Sequence, residues 1–495
     1  MTEGNGKYVL LVYGILLGVL LPYVVGKWWY GTQKMTREKV LIPSAGNLFK
    51  EYKEDISEGG IINALSAGEE YKEVLKGSKA DAGLATTENK VLEAGFSDTS
   101  VAGLTSDDKI RLRDFEGVRR KAQTLLWAYL GRIPLSDRAL DDEKFEIAPI
   151  ALSQLESFIA ITTAFGNTSP LLSAYRISQY LIQAMPPKAS PLLQLPHITP
   201  ALASYIAGPS RKSNSSSMSI QQFMTLPEHR RRKLCTDTPN TPQLTPAEYN
   251  TAISVARQLP LLKVEKAFFK VTGERAINPS SLVQLVIKAR IIPPGSMDIP
   301  PINLSDLEDV DPDEGDVDAL LGRAPKTSAG GKPRHKRSDS KLLSSSQETP
   351  ADTLPKSDNA VDTPLQPPLT HAPYFPRDHS PRWHVFLADG KIGKIAVPPF
   401  TLTTFNKPLV DESTGKPTFA VQTLKMQFQA PPQVGKYPFV MHVVSDSYVG
   451  MDSMVDVVLE VEEVKADAEE SEEEISEPEE GTLEDSHFRI PLHTL

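Results

Sequence analysis

Three observations predict an α+β multidomain membrane protein: one transmembrane helix, an irregular all-α domain, an immunoglobulin-like β-sandwich and a disordered acidic tail. The first is an uncharged run of 18 residues, Tyr8 to Val25. The second is a change in apolar spacing near residue 371, from three and four residues to two. The third is the stretch Glu460 to Asp485, which holds 14 acids and a single base, Lys465.

Tyr8 to Val25 spans about 27 Å as a helix, enough to cross a bilayer core. Trp28, Trp29 and Tyr30 follow it, where an interfacial aromatic belt is expected. No small-residue cleavage site succeeds the apolar run, and the bases Lys27, Lys34, Arg37 and Lys39 come after it, which argues for an anchor over a signal peptide. The positive flank puts residues 1–7 outside the cell or in a lumen, as a short stub, and everything after residue 27 in the cytosol.

Residues 36–292 read as a helical cytosolic domain. Lys109 to Leu130, Ile150 to Phe165, Leu171 to Ala184, Ala247 to Leu259 and Ser281 to Ile291 all show helical apolar spacing. Prolines at 134, 186, 187, 191, 196, 200, 227 and 260 cut the region into short helices. The basic run Glu228 to Lys233 reads as the solvated start of one of them, with a membrane- or ribosome-facing patch as the functional alternative.

Residues 293–370 predict a disordered linker: 15 prolines fall between Pro293 and Pro381, and a nine-acid cluster, Asp298 to Asp318, is followed by a basic Ser-rich run. From 371 to 463 the period is two. Leu424, Met426 and Phe428 share one face of a strand; so do Tyr437, Phe439, Met441 and Val443, and Val455, Val457, Leu459 and Val461. Tyr437, just after Gly435, occupies the place of a tyrosine corner, or is one more core aromatic. Residues 464–495 are too charged to fold alone.

Charge and chemistry narrow the function classes. The 495-residue chain carries 53 Lys and Arg against 63 Asp and Glu, but the two acidic stretches account for −22, so the remainder is mildly basic. Cys235 is the only cysteine, which excludes an internal disulfide and a cysteine zinc site. No phosphate-cradling glycine loop, nucleophile elbow or His-Glu-x-x-His motif is present. His371, His379 and His384 fit no common metal spacing, and Asp309 to Gly315 lacks the turn glycine and terminal glutamate of a calcium loop. No enzyme, cofactor or nucleic-acid partner is expected. The tail is the most informative polar feature. Glu469, Glu470, Glu472, Glu473, Glu474, Glu477, Glu479 and Glu480 attract a basic partner. Ser471, Ser476 and Thr482 each have an acid three residues downstream, the acidophilic-kinase pattern, so phosphorylation would deepen that field.

Several stretches together carry a family resemblance. Tyr13 to Tyr30, Leu125 to Leu130, His371 to Phe375, Trp383 to Ala388 and Ser445 to Gly450 resemble the fungal form of the Sec-sixty-three subunit of the endoplasmic reticulum protein translocon, in order along nearly the whole chain. The resemblance implies a single-pass protein of the endoplasmic reticulum membrane, N-terminus lumenal and C-terminus cytosolic, with Tyr8 to Val25 as the family's third transmembrane helix. It implies that residues 371–463 are a fibronectin type III domain docking on cytosolic loops of the Sec-sixty-one channel to promote opening. It also implies that the acidic tail binds the Sec-sixty-two subunit and is phosphorylated by casein kinase II, consistent with Ser471, Ser476 and Thr482. The chain departs from the family in having no His-Pro-Asp tripeptide and no first two transmembrane helices. The family carries a lumenal J domain between its second and third transmembrane helices; without it, stimulation of the lumenal Hsp-seventy chaperone is not expected, and Met1 is an internal start or the form is a reduced one. An alternative reading is a membrane-tethered adaptor built from the related helical-plus-sandwich module of RNA helicases.

Overall fold

The computed structural model describes residues 3–32, 35–75, 81–94, 106–208, 218–237, 243–274, 276–309, 365–411 and 413–463. Most of the expected linker (310–364) and the whole acidic tail lie outside the described residues.

The N-terminal segment is one continuous helical rod: α1 (Glu3–Ile15), a π-helical turn (Leu16–Leu20) and α2 (Leu21–Thr32). The π turn has a local cause. Pro22 has no N–H for the carbonyl of Gly18 and its ring crowds that turn, and the wider i→i+5 register, with Leu21 N–H bonded to Leu16 O, absorbs the misfit. From Leu10 to Trp28 the rod is apolar and long enough to cross a membrane, and no part of the fold covers it.

The helical domain comprises α3 (Ile42–Glu51), α4 (Glu58–Leu65), α5 (Tyr71–Val74), α6 (Asp81–Ala94), α7 (Ser106–Asp114) and α8 (Gly117–Leu130), followed by α9 (Arg138–Phe165) and α10 (Thr168–Gln183). Shorter helices complete it: α11 (Pro200–Ala207), α12 (Ile220–Thr225), α13 (Glu228–Thr236) and α14 (Pro246–Ala256). The expected helix from Lys109 to Leu130 is broken in two, with Gly117 at φ +62° just after Phe115 and Glu116. From Lys121 onward every residue of α8 is buried, and Trp127, Tyr129, Tyr71 and Phe158 fill the space among α8, α9 and α5. The Tyr129 hydroxyl donates to Leu181 O at 2.8 Å, so this aromatic serves the core and caps a polar need of α10 together. In α13 the basic run is the start of a helix as expected. Arg231 turns inward to donate to Met224 O at 2.6 Å, while Arg232 pairs with Glu228 one turn back.

Seven strands are described: β1 (Leu262–Lys270), β2 (Leu282–Ile291), β3 (Trp383–Asp389), β4 (Ile395–Leu402), β5 (Gln422–Gln429), β6 (Gly435–Ser445) and β7 (Ser453–Val461). They form two antiparallel sheets, β1-β2-β5 and β4-β3-β6-β7, packed face to face over Leu285, Ile287, Trp383, Val385, Leu424, Met426, Met441 and Val457. Pro398 and Pro399 sit on β4, an edge strand, where the missing ladder donors cost least. The period-two faces predicted for β5, β6 and β7 point as expected, and the Tyr437 hydroxyl donates to Gln433 O at 2.8 Å, the bond a tyrosine corner makes.

One expectation is corrected. Ser281 to Ile291 is not a helix: residues 282–291 form the central strand of the three-stranded sheet, paired with β1 on one side and β5 on the other. Its inward face (Val283, Leu285, Ile287, Ala289, Ile291) is covered by the second sheet, and its outward residues Lys288 and Arg290 are buried as well. A strand buried on both faces shows a near-continuous apolar run, which spacing alone does not distinguish from a helix. The last α-helix of the helical domain is therefore α14, ending at Ala256 rather than near 292, and the sandwich takes in β1 and β2. The expected linker becomes an insertion between β2 and β3 of one sandwich, and its first part is not free. Asp309 lies among Lys270, Lys288 and Lys425 on the outer face of β1-β2-β5, and Arg290 donates to Pro300 O at 2.9 Å.

Candidate interaction site at the junction of helices and sandwich

The loop between β6 and β7, Ser445 to Gly450, leaves the sandwich and inserts into the helical domain. Tyr448, Val449 and Met451 belong to the helical core rather than the sandwich core. The loop's tight path is set by Ser445, whose hydroxyl accepts from the N–H groups of Ser447 (3.2 Å) and Tyr448 (3.3 Å). Gly450 closes it at φ +76°, a conformation that favours glycine, with Pro191 packed where a Cβ would project.

The helical domain meets this loop with glutamines. Tyr175, Gln179 and Gln183 recur every four residues on α10 and so form one stripe. Gln179 Nε2 donates to Ser445 O (2.7 Å) and to Asp452 Oδ1 (2.9 Å); Gln183 Nε2 donates to Ser447 O (2.8 Å) and His371 O (3.2 Å). Gln194, from the 3-10 turn Pro191–Gln194, makes a reciprocal pair with Val449: its Nε2 donates to the carbonyl at 2.9 Å and its Oε1 accepts from the N–H at 2.8 Å. Each side-chain amide thus satisfies backbone groups that the loop buries.

Asp446 is the charged centre. It is 1% exposed. Arg382 donates to it from Nε (2.7 Å) and from its backbone N–H (2.9 Å), His379 Nε2 lies 3.0 Å away, and the Ser447 hydroxyl donates as well. Burial pushes the carboxyl up, but the hydrogen bonds and positive charge of His379 and Arg382, with Ser447, outweigh it and hold the group down at about 2. The other arm of Arg382 reaches Glu156 on α9 at 2.8 Å, so one guanidinium ties the sandwich to the helical domain. Beside it His384 stacks on Tyr175 with ring centroids 4.4 Å apart, and its Nδ1 lies 3.0 Å from the Thr401 hydroxyl. Burial pulls its pKa down to about 4.

The segment 371–375 completes the seam. Arg132 donates to the carbonyls of Ala184 and Gln183 (both 2.8 Å) at the end of α10, and the Tyr374 ring covers its guanidinium at 4.1 Å. Phe375 is buried in the helical core, and the His371 N–H donates to the Tyr448 hydroxyl at 3.0 Å. A cleft of about 490 Å³ opens here between α9, α10, β3 and β4, with Ile159, Tyr175 and His384 in its walls. Among its charged groups, Arg382 bonds both Glu156 and Asp446 and so joins the helical domain to the sandwich across the cleft.

Among the sequence-predicted site residues, Glu469, Glu470, Glu472, Glu473, Glu474, Glu477, Glu479, Glu480, Ser471, Ser476 and Thr482 lie outside the described residues. Trp28 is exposed near the end of the apolar rod; for Trp29 and Tyr30 only the helical backbone of α2 is described. The three histidines go to separate places: the His379 ring to Asp446, the His384 ring to Tyr175, and His371 to the seam, where its backbone N–H bonds the Tyr448 hydroxyl. Among the described residues no group of three or more His, Cys, Asp or Glu side chains is placed to hold a metal. Sequence reasoning did not single out Gln179, Gln183, Gln194, Arg382 or Asp446 as site residues. The available signal was the polar amide pair at i, i+4 on an otherwise apolar helix.

Comparison with known proteins bears on nearly the whole chain. The fission yeast (Schizosaccharomyces pombe) protein named translocation protein sec63 is 22% identical over 95% of this chain and 61% of its own length. The Saccharomyces cerevisiae protein translocation protein SEC63 is 24% identical over 66% of this chain and 42% of its own. The human translocation protein SEC63 homolog is 24% identical over 40% of this chain and 27% of its own. The chain therefore spans less than two thirds of each of these relatives. The family model described as Sec63 Brl domain matches residues 39–458, taking in the helical domain, the junction and nearly all of the sandwich, and the chain belongs to that family.

Proposed function

We propose that this chain is a non-enzymatic, membrane-anchored subunit of the endoplasmic reticulum post-translational translocon. In this reading the apolar rod crosses the membrane once, N-terminus lumenal and C-terminus cytosolic. The sandwich is of the fibronectin type III kind and docks on cytosolic loops of the Sec-sixty-one channel, promoting its opening. The acidic tail, Glu469 to Glu480, binds the basic Sec-sixty-two subunit, and phosphorylation of Ser471, Ser476 or Thr482 strengthens that contact. The observation that carries the reading is the alignment of 95% of the chain with a relative named as a translocation protein. The junction supports it physically: a sandwich bolted to a helical domain by Asp446, Gln179, Gln183 and Gln194 transmits the position of one bound surface to the other, as a scaffold requires.

The test is co-purification of the full chain from membranes solubilised in mild detergent. Channel subunits are expected in the eluate, and their absence overturns the reading. Deleting residues 464–495 should release the basic subunit while leaving the channel bound, with the intact chain losing it progressively as salt rises; unchanged association rejects the role given to the tail.

A further inference from the structure

Exposed apolar side chains from three separate elements converge at one end of the molecule. Ile42 (53% exposed) and Phe49 (57%) lie seven residues apart on α3 and so share one helix face. Phe165 (42%), the last residue of α9, stacks on Phe49 with centroids 5.7 Å apart and on Tyr52 at 4.2 Å. Ile392 (71%) stands on the β3–β4 turn, which is pinned beside Phe165: Ile395 N–H donates to Gly166 O at 2.8 Å and Thr168 N–H to Gly393 O at 3.1 Å. The sandwich and the helical domain thus contribute to one surface.

The chain path fixes where this surface lies. Only residues 33 and 34 separate the end of α2 at Thr32 from Met35, three peptide steps or about 11 Å at most. Met35 is already paired with Leu41, and Leu41 N–H donates to Glu70 Oε1 at 2.7 Å, so α3 starts firmly attached where the rod ends. If Trp28 marks the membrane interface, Ile42 and Phe49 are held within reach of it.

We propose that Ile42, Phe49, Phe165 and Ile392 form a lipid-contacting patch on which the helical domain and sandwich rest against the bilayer surface, fixing their orientation relative to the anchor. The proposal rests on the reading that the apolar rod spans a membrane. A tethered domain has already given up most of its translational freedom, so a few inserted apolar side chains suffice where a free protein needs many. Charge is not the driving force. The exposed bases Arg37, Lys39, Lys50, Lys53 and Lys391 are interspersed with Glu38, Glu54, Asp55 and Asp389 on the same segments, so the contact is expected on neutral lipid and at high salt alike.

The experiment uses the full chain with Cys235→Ser, reconstituted in neutral phosphatidylcholine bilayers without any partner, and a nitroxide at one introduced cysteine: V19C, F49C, I392C or M297C. Met297, after β2, lies at the sandwich end opposite the β3–β4 turn and is 86% exposed. Collision with oxygen relative to a water-soluble nickel chelate reads depth. Labels at 19, 49 and 392 are expected to favour oxygen several-fold over the label at 297, unchanged by high salt. A lipid-buried label at 19 with labels at 49 and 392 as aqueous as the one at 297 overturns the patch alone, leaving it as a surface for a protein partner. An aqueous label at 19 overturns the membrane-spanning reading itself.

Discussion

Asp446 and Asp309 make an instructive pair, because the same chemistry, one carboxylate among several cations, is used at two depths. Asp446 lies at the seam between helices and sandwich, bonded to Arg382, His379 and Ser447 with water excluded. Asp309 lies on the outer face of β1-β2-β5, paired with Lys270, Lys288 and Lys425, ammonium groups on flexible stems, two of which (Lys270 and Lys425) reach solvent. The first joins two bodies of the fold; the second fastens the start of an insertion to a finished sheet. Geometry and desolvation, more than the number of opposite charges, decide how much each contributes.

The comparison breaks most visibly if Asp446 is truncated. Asp446→Ala takes the buried acceptor away from His379, from the Ser447 hydroxyl and from the Arg382 Nε and backbone N–H, leaving Arg382 only Glu156, and should cost about 3 kcal/mol in denaturant unfolding, with little dependence on salt. It should also separate the unfolding of sandwich and helices into two transitions. A single transition with a small shift would mean that the seam is held by apolar contacts such as Tyr448 and Phe375 alone.

Acid titration sharpens the same contrast at the seam. His384 is held neutral, with its pKa pulled down to about 4, so between the unfolded value near 6.5 and about 4 the unfolded chain binds the extra proton. Stability is therefore full above that window and falls as pH drops through it, by about 3 kcal/mol for this group. Replacing His384 by Phe should flatten the slope over pH 6.5 to 4 relative to the parent protein. Asp446 adds a separate loss at lower pH: its carboxyl is depressed to about 2, so its contribution is complete above the unfolded value near 3.9 and disappears as pH falls through about 2. An identical pH profile for the His384→Phe protein would contradict the burial argument.

Asp309→Asn is the smallest expected effect, about 1 to 2 kcal/mol: Asp309 and Lys288 are nearly buried, but Lys270 and Lys425 reach solvent, so unlike the loss from Asp446→Ala this one should shrink in part as salt screens the residual repulsion among Lys270, Lys288 and Lys425. A salt-independent loss as large as that of Asp446→Ala would place both carboxylates in the same class.

Much of this organisation was legible in advance where one physical signal dominated. The apolar rod needed only its uncharged length, and β5, β6 and β7 needed only their alternation, because each has one face toward the core and one away from it. Tyr437 could be placed at a strand start from the preceding Gly435, and its bond to Gln433 follows. The reading failed at Ser281 to Ile291, where the outer face of β2 is covered by the insertion that begins at Pro293, so that both faces are buried and the period is lost. It also missed the long-range site: Gln179 lies more than 260 residues from its partner Ser445, and nothing local to either marks the pairing.

The sequence by itself determined the anchor-length rod, most of the helical and alternating regions and the concentration of acid in residues 460–485, since all of these depend on composition and local periodicity; the family resemblance came separately, from particular stretches such as Trp383 to Ala388 and Ser445 to Gly450. Only the tertiary structure decided that the sandwich begins with β1 and β2 ahead of the insertion, that Ser445 to Gly450 belongs to the helical core, and that Phe49, Phe165 and Ile392 meet at one end. The physical reason is common to all three. Backbone groups and apolar faces are satisfied by partners distant in the chain, and which partners meet is settled by the closing of the whole fold, not by any local preference.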